Sequence, residues 1–283
     1  MATKKSTSTT KQASASKPAA VKSKTTTVKT APIAATTNTF AGHIQQSVRS
    51  ITLWRSLAAE FIGTFLFAGV VIAGQGQPIF VLFALVGIVL MLGAVSGAHV
   101  NPAITIGALV TRRIGWLRAV GYVFAQCLGA ALAYVVLNAF LNGAAPVGEQ
   151  AQLYGQAAPA LFAATDFAKI AGKEWYLFFA ELLGTAILGF AIANATRELQ
   201  DRVAAAFTAG LGIFVALMIA VSAASYIGGT AIINPAVAIA LQGYDFGSIW
   251  PFAVYALAPV IGGVLGFVVY DLLRGRGTVT TIK

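Results

Sequence analysis

The sequence predicts an all-α membrane protein with six transmembrane helices and two re-entrant half-helices in an inverted repeat. The first observation is a composition of 58% hydrophobic and 10% charged residues, which is unlike that of a soluble globular domain. The second is that residues 61–111 and 203–244 contain no Asp, Glu, Lys or Arg, and each stretch exceeds the ~20 apolar residues that span a bilayer. The third is an Asn-Pro-Ala triplet that occurs twice, at 101–103 and 234–236.

Each triplet reads as the start of a short helix. Asn101 and Asn234 are good N-cap residues, and Pro102 and Pro235 suit the first helical position. About ten residues follow before the apolar run ends, which gives ~15 Å, half of a ~30 Å hydrocarbon core. One such triplet is a common helix start. Two of them in corresponding places of two halves indicate a site at the membrane midplane of an inverted-repeat protein.

Hydropathy places the remaining helices. The predicted full spans are 52–73, 78–96, 116–141, 174–194, 202–222 and 249–273, and the predicted half-helices are 101–111 and 234–242. All four tryptophans fall at the start of a predicted span, where an aromatic belt would place them. The motif Ala-Glu-x-x-Gly-Thr occurs at 59–64 and again at 180–185. Because each half has three full spans, an odd number, the two halves must insert with opposite orientation.

Basic residues predict the orientation. Residues 1–59 contain nine Lys or Arg and no acid, within a net charge of +10. With six spans, seventeen of the nineteen basic residues lie on the side of the N-terminus, and Lys169 and Lys173 lie on the other. The positive-inside rule therefore predicts a multi-pass protein of the cell membrane with both termini in the cytoplasm.

The predicted organisation has three parts. Residues 1–50 form a basic cytoplasmic tail whose composition is too polar to fold, and residues 276–283 form a short C-terminal tail. Residues 51–275 form a channel domain, with repeat one at 51–141 and repeat two at 174–275. A basic tail can bind nucleic acid, but we expect one attracted to anionic lipid headgroups, with no nucleic-acid partner.

Three polar residues in or near the apolar spans need an explanation. Glu60 and Glu181 are costly there unless they are partnered. One hypothesis is a proton relay; the other, favoured by their symmetric placement, is that they accept hydrogen bonds from the irregular loops before the half-helices. His99 is a gate, a proton-sensitive group or, by default, a packed hydrogen-bonding partner.

Composition argues against catalysis. Nine acids, two histidines and one cysteine, Cys127, provide no catalytic set, metal cluster, cofactor site or intramolecular disulfide. A passive pore for water and small neutral solutes agrees better with the sequence than an ion- or proton-coupled transporter, which needs further charged groups within the spans. Two half-helix N-termini that meet at the midplane would repel cations and protons, while the asparagine amides would hydrogen-bond neutral molecules.

The motifs resemble the major intrinsic proteins, the aquaporins and glycerol facilitators. The residues that carry the resemblance are Ser-Gly-Ala-His-Val-Asn-Pro-Ala at 96–103, Ile-Asn-Pro-Ala at 233–236, the two Ala-Glu-x-x-Gly-Thr segments, and Ala258-Pro259-x-x-Gly262. The resemblance covers roughly 55–275. It implies one pore per subunit, formed by six tilted helices and two half-helices, and normally a homotetramer.

The resemblance also implies a selectivity constriction, in which this chain is atypical. Most of the family has an arginine three residues after the second asparagine, where this chain has Val237. Counting at family spacing places the other constriction positions at Val81, Ser222 and Ala231. This set of small residues predicts a wider pore than a water-only filter, with glycerol, urea, ammonia and hydrogen peroxide as candidate solutes beside water.

Overall fold

The computed structural model describes residues 40–144, 159–198 and 200–275. The helices are α1 (Phe40–Val48), α2 (Ile51–Ala73), α3 (Pro78–Ser96), α4 (Pro102–Val110), α5 (Trp116–Asn142), α6 (Glu174–Ala195), α7 (Arg202–Ser225), α8 (Pro235–Ala240) and α9 (Trp250–Arg274). A 3-10 turn, Phe167–Ile170, precedes α6. Six of these helices, α2, α3, α5, α6, α7 and α9, are long and apolar enough to cross a membrane. The predicted six-span, all-α architecture is confirmed.

The two half-helices are short, as predicted. Helix α4 has nine residues and α8 has six, so at ~1.5 Å per residue neither can cross a ~30 Å hydrocarbon core. Each packs mainly against the third span of the other repeat, since α4 contacts α9 and α8 contacts α5. The half-helices therefore tie the two repeats together.

Helix contacts follow the internal repeat. Helices α2 and α5 pack together in repeat one, as do α6 and α9 in repeat two. The pairs α2–α3 and α6–α7 likewise correspond, and α3 packs on α7 across the repeats. This pairing is the one expected when both halves share one fold.

Two equivalent glycines permit the closest of these crossings. A Cβ atom at Gly129 in α5 would lie 2.3 Å from the carbonyl oxygen of Phe61 in α2. A Cβ atom at Gly262 in α9 would lie 2.2 Å from the carbonyl oxygen of Leu182 in α6. Both obstacles are backbone atoms, so only glycine fits, as in other close helix crossings in membranes.

Helix α9 contains a π-helical segment, Ala253–Leu257. Pro259 lies just after this segment and has no N–H to donate to the carbonyl of Tyr255. The hydroxyl of Tyr244 donates to that carbonyl over 3.0 Å and lies 3.1 Å from the carbonyl oxygen of Pro235. The irregular turn thus connects α9 to the first residue of the half-helix α8.

Helix α1 corrects one expectation, because it lies within the segment 1–50 that was predicted to be disordered. Its apolar residues Phe40, Ile44 and Val48 recur every four positions, which gives a helix an apolar stripe. The indole N–H of Trp54 donates to the carbonyl of Val48 over 2.7 Å. Residues 1–39 and 276–283 lie outside the described residues, so the predictions about these two tails stay predictions.

Candidate functional site

The site is built where the two half-helices begin. Asn101 caps α4, its side-chain oxygen accepting from the N–H of Ala103 at 2.9 Å. Asn234 caps α8 and accepts from the N–H groups of Ala236 at 3.0 Å and Val237 at 3.3 Å. Pro102 and Pro235 stand at the first helical positions, as predicted.

The two asparagines bind reciprocally. The amide nitrogen of Asn101 donates to the carbonyl of Ile233 over 2.9 Å, and that of Asn234 donates to the carbonyl of Val100 over 2.9 Å. We expected both amides to donate into the lumen. One N–H of each instead joins the two loops, and each NH₂ group carries a second N–H. Both asparagines are almost fully buried.

Unusual backbone angles orient the two accepting carbonyls. Val100 has φ +42° and Ile233 has φ +50°, in the left-handed region that β-branched residues rarely adopt. Such a conformation costs of order 1–3 kcal/mol and persists only where its surroundings enforce it. Here the enforcing groups are two buried carboxylates.

Glu60 and Glu181 hold these loops in equivalent ways. Glu60 accepts from the N–H groups of His99 at 2.9 Å and Val100 at 2.7 Å. Glu181 accepts from the N–H of Ile233 at 2.8 Å and from the N–H of Ile232. Both glutamates are 0% exposed, so these bonds compensate part of the cost of burying a carboxylate.

Only the first loop has a polar side-chain network around it. The Gln126 amide donates to Glu60 over 2.7 Å and to the Thr105 hydroxyl over 3.0 Å. The Nδ1 atom of His99 lies 3.2 Å from the same hydroxyl, and the His99 ring meets the Tyr122 ring edge-on at 5.4 Å. Sequence reasoning missed Gln126 and Thr105, although a Gln inside an apolar span was a signal for a buried polar contact.

Two equivalent tyrosines fix the loops from behind. The Tyr122 hydroxyl donates to the carbonyl of Ser96 over 2.7 Å, and the Tyr255 hydroxyl lies 2.9 Å from the carbonyl oxygen of Thr230. The Tyr255 hydroxyl also accepts from the N–H of Thr165 at 3.1 Å. Both rings are fully buried.

Two cavities meet at His99. The inner one has a volume of about 10 Å³ and is lined by both asparagines, by His99 and Val100, and by six apolar side chains: Phe67, Leu85, Ile104, Leu188, Ile192 and Ile213. About 10–15 Å³ is the smallest space that holds one water molecule. The second cavity, of about 620 Å³, opens between the ends of α3, α4, α6 and α7 and also includes His99. A narrow centre thus leads into a wide mouth.

The four expected constriction residues have different environments. Val81, Ala231 and Val237 are buried and belong to one contiguous apolar cluster, with Val237 only 1% exposed. Ser222 is exposed, and its carbonyl accepts from the hydroxyl of Ser225 at 2.7 Å. Sequence spacing therefore finds three neighbours in the core and one residue outside it.

An ion-pair network near the mouth was also missed. Arg113 donates to Asp271 over 2.7 Å, to the carbonyl of Ala193 over 2.8 Å and to the hydroxyl of Thr196 over 2.7 Å. Its guanidinium lies 4.9 Å from the centre of the Phe267 ring. Burial lowers the pKa of Arg113, and the charge of Asp271 opposes that shift. The partners lie 80 or more positions away along the chain, so spacing could not reveal them.

Comparison with known proteins decides the family. Residues 47–270 match the family described as Major intrinsic protein. The chain belongs to this family. Major intrinsic proteins form passive channels for water and small solutes, so the chain is a multi-pass membrane channel and not an enzyme.

Relatives agree with this membership. The chain is 37% identical to the glycerol uptake facilitator protein-like 6 of Lactiplantibacillus plantarum over 224 residues, covering 75% of this chain and 94% of the relative. It is 33% identical to aquaporin NIP1-4 of Oryza sativa over 243 residues, covering 81% of this chain and 80% of the relative. The aquaglyceroporin of Plasmodium falciparum has a similar fold, with a TM-score of 0.55 at 20% identity, covering 77% of this chain and 93% of that structure.

Proposed function

We propose that this major intrinsic protein conducts water together with small neutral solutes and excludes ions and protons. The observation that carries the proposal is the meeting of the two half-helix N-termini through Asn101 and Asn234, each donating to the carbonyl that precedes the other. The N-terminal end of a helix carries about half a positive elementary charge. Two such ends at one point oppose a cation or hydrated proton and leave neutral molecules unaffected.

The centre of the pore favours single-file passage. The inner cavity holds about one water molecule, and the polar groups on its wall come from His99 and the asparagine loops. A molecule there meets amide donors on one side and apolar side chains such as Phe67 and Leu188 on the other. We propose that Asn101, Pro102, Ala103, Asn234, Pro235 and Ala236 are the pore motifs of this protein.

Glu60, Glu181 and His99 serve this centre as structural supports in the proposed mechanism. Each carboxylate accepts two backbone N–H groups from the loop before a half-helix. These bonds supply acceptors to N–H groups that no regular structure pairs. A proton relay would need carboxylates open to a proton path, whereas both glutamates are fully buried. The same burial argues against the alternative of an ion- or proton-coupled transporter.

The solute range follows from the constriction. Val237 replaces a charged, hydrogen-bonding side chain by a small apolar one, and Val81, Ala231 and Ser222 add little bulk. We therefore propose that glycerol and urea pass alongside water. The similarity to a protein named for glycerol uptake supports glycerol as the first solute to test.

Assembly and orientation complete the proposal. The family resemblance supports a homotetramer with one pore per subunit. The seventeen-to-two distribution of basic residues supports cytoplasmic N- and C-termini in the cell membrane.

The decisive experiment is stopped-flow light scattering on proteoliposomes that contain the purified full-length chain. Gradients of sucrose, glycerol and urea measure the permeability of each species separately, and protein-free liposomes give the background. We expect all three permeabilities to rise above background. Liposomes that pass water but exclude both glycerol and urea would show that the wide-pore proposal is wrong.

A further inference from the structure

The wide cavity at the pore mouth carries a concentration of positive charge. Four arginines line it, Arg112, Arg113, Arg197 and Arg202, together with one carboxylate, Glu198. His99 lines both this cavity and the narrow one at the asparagines. Whatever binds in the wide cavity therefore stands in the path of a permeating molecule.

Two of the four arginines are occupied within the protein. Arg113 is held by Asp271, by the Ala193 carbonyl and by the Thr196 hydroxyl. Arg197 donates to the same Asp271 oxygen over 2.9 Å. These two guanidinium groups form a fixed wall and share one counter-charge.

The other two arginines remain available to a ligand. Arg112 and Arg202 are exposed, and neither forms an ion pair within the described ranges of the chain. The nearby acids are turned to the backbone: Glu198 accepts from the N–H groups of residues 200 and 201, and Asp201 caps α7 by accepting from the N–H groups of residues 203 and 204.

The backbone fixes the position of Arg112. The N–H of Arg112 donates to the carbonyl of Leu109 over 3.0 Å, and the N–H of Arg113 donates to that of Ala108 over 2.8 Å. This is the Schellman ending of a helix, in which the residue at Arg112 must adopt a left-handed conformation. Arg112 has φ +60°, although glycine would be the unstrained choice there.

The equivalent place at the end of the other half-helix has no charge. Helix α8 ends in the same way, with the N–H of Gln242 donating to Ile239 over 3.1 Å and that of Gly243 to Ala238 over 2.8 Å. Gln242 has φ +57°. The inverted repeat therefore presents a fixed arginine at one end of the pore and a neutral amide at the other. Ending a half-helix needs no cation, so the arginine calls for another explanation.

We propose that the arginine-lined mouth binds a phosphate monoester between Arg112 and Arg202 and that the bound anion obstructs the pore. Guanidinium groups bind phosphate oxygens through charge-assisted, often bidentate, hydrogen bonds. The cavity volume of about 620 Å³ lies within the range of small-molecule sites. A soluble ester suits this place better than a lipid headgroup, because the cavity is continuous with the aqueous pore. The obstruction rests on the proposed channel function; the binding does not.

Binding is tested first, on the full-length protein in a zwitterionic detergent. The probe is glucose 6-phosphate, glucose is the neutral control, and isothermal titration calorimetry is the measurement. We expect saturable binding of glucose 6-phosphate alone. Replacing Arg112→Gln, which copies Gln242, or Arg202→Gln should weaken it about tenfold each, because each change removes a charge-assisted hydrogen bond. Arg274→Gln is the matched control, since Arg274 lies at the same end but outside this cavity.

Absence of binding, or binding that survives the Arg112→Gln/Arg202→Gln double variant, would overturn the site. A lipid source is distinguished by vesicles: phosphatidylcholine vesicles with added glucose 6-phosphate should show slowed flux, whereas vesicles with anionic lipid and no probe should not. The reverse pattern rejects the soluble ligand.

Obstruction is tested by glycerol flux in phosphatidylcholine proteoliposomes with glucose 6-phosphate on both sides. We expect flux to fall several-fold in the wild type and in Arg274→Gln, and to be unaffected in the double variant. Binding without slowed flux would reject the obstruction. Failure of the channel proposal appears separately, as absent glycerol flux without any probe.

Discussion

Gln126 and Pro259 occupy equivalent positions in the third spans of the two repeats, but only Gln126 can donate a hydrogen bond there. Its amide reaches Glu60 over 2.7 Å, whereas Glu181 is held by backbone N–H groups alone. The two loops therefore have the same carboxylate support and different side-chain support. The first loop depends on a buried network, and the second on a proline-shaped turn in α9.

The network at Gln126 should stabilise the fold. Replacing Gln126→Leu leaves buried oxygens of Glu60 and Thr105 without a donor, which costs about 1–3 kcal/mol. We expect a lower thermal midpoint in detergent, measured by fluorescence-detected size exclusion after heating. Gln46→Leu, on the exposed surface of α1, is the control and should leave the midpoint unchanged. Equal midpoints for the two variants would mean that the network contributes nothing to stability.

The close crossing of α6 and α9 gives a second prediction. In Gly262→Ala the new Cβ atom would lie 2.2 Å from the Leu182 carbonyl oxygen, so the two backbones must separate. We expect loss of monodisperse protein after extraction. Gly69→Ala adds the same methyl group where nothing lies within 4 Å, and it should purify like the wild type. Normal purification of Gly262→Ala would contradict the crossing geometry.

Val237 gives a prediction about selectivity. Arginine at this position would add bulk, fixed donors and a positive charge, so Val237→Arg should reduce glycerol and urea permeability more than water permeability. Because Val237 is only 1% exposed, folding must be checked by size exclusion. Val237→Leu adds bulk without donors or charge and separates the two effects. Equal losses for water and glycerol in folded Val237→Arg would place the solute filter elsewhere.

Membrane orientation is tested by cysteine labelling in a Cys127→Ser background. A reporter at Ser8→Cys should resist an impermeant maleimide applied to intact cells, because the tail is predicted to be cytoplasmic. A reporter at Ser248→Cys, exposed in the loop before α9, should react. Labelling of the tail reporter from outside would reverse the orientation and move the arginine-lined mouth to the external face.

Local patterns in the sequence were sufficient for the helices. Each apolar run gave one span, and the asparagine caps with their prolines gave both half-helix starts, because capping depends on adjacent residues. The repeat also indicated that Glu60 and Glu181 act alike. Helix α1 was missed because its short apolar stripe lies in a segment judged by composition.

Contacts between distant positions could not be predicted in this way. Gln126 is 66 positions from Glu60, and Arg113 is 158 from Asp271. No periodicity links residues so far apart. The π-helical segment was equally hidden, since Pro259 indicates an irregular turn but not that Tyr244 would complete it. The constriction residues were placed by counting, and counting does not reveal that Ser222 is exposed.

The glycines at 129 and 262 have a consequence for how this protein can be altered. Their obstacles are main-chain atoms of α2 and α6, so the spacing of these helices is determined without reference to the residues that line the pore. A protein engineer can therefore exchange lining side chains between relatives while the frame stays in register. The same separation gives natural selection a scaffold on which new permeants can be acquired one substitution at a time.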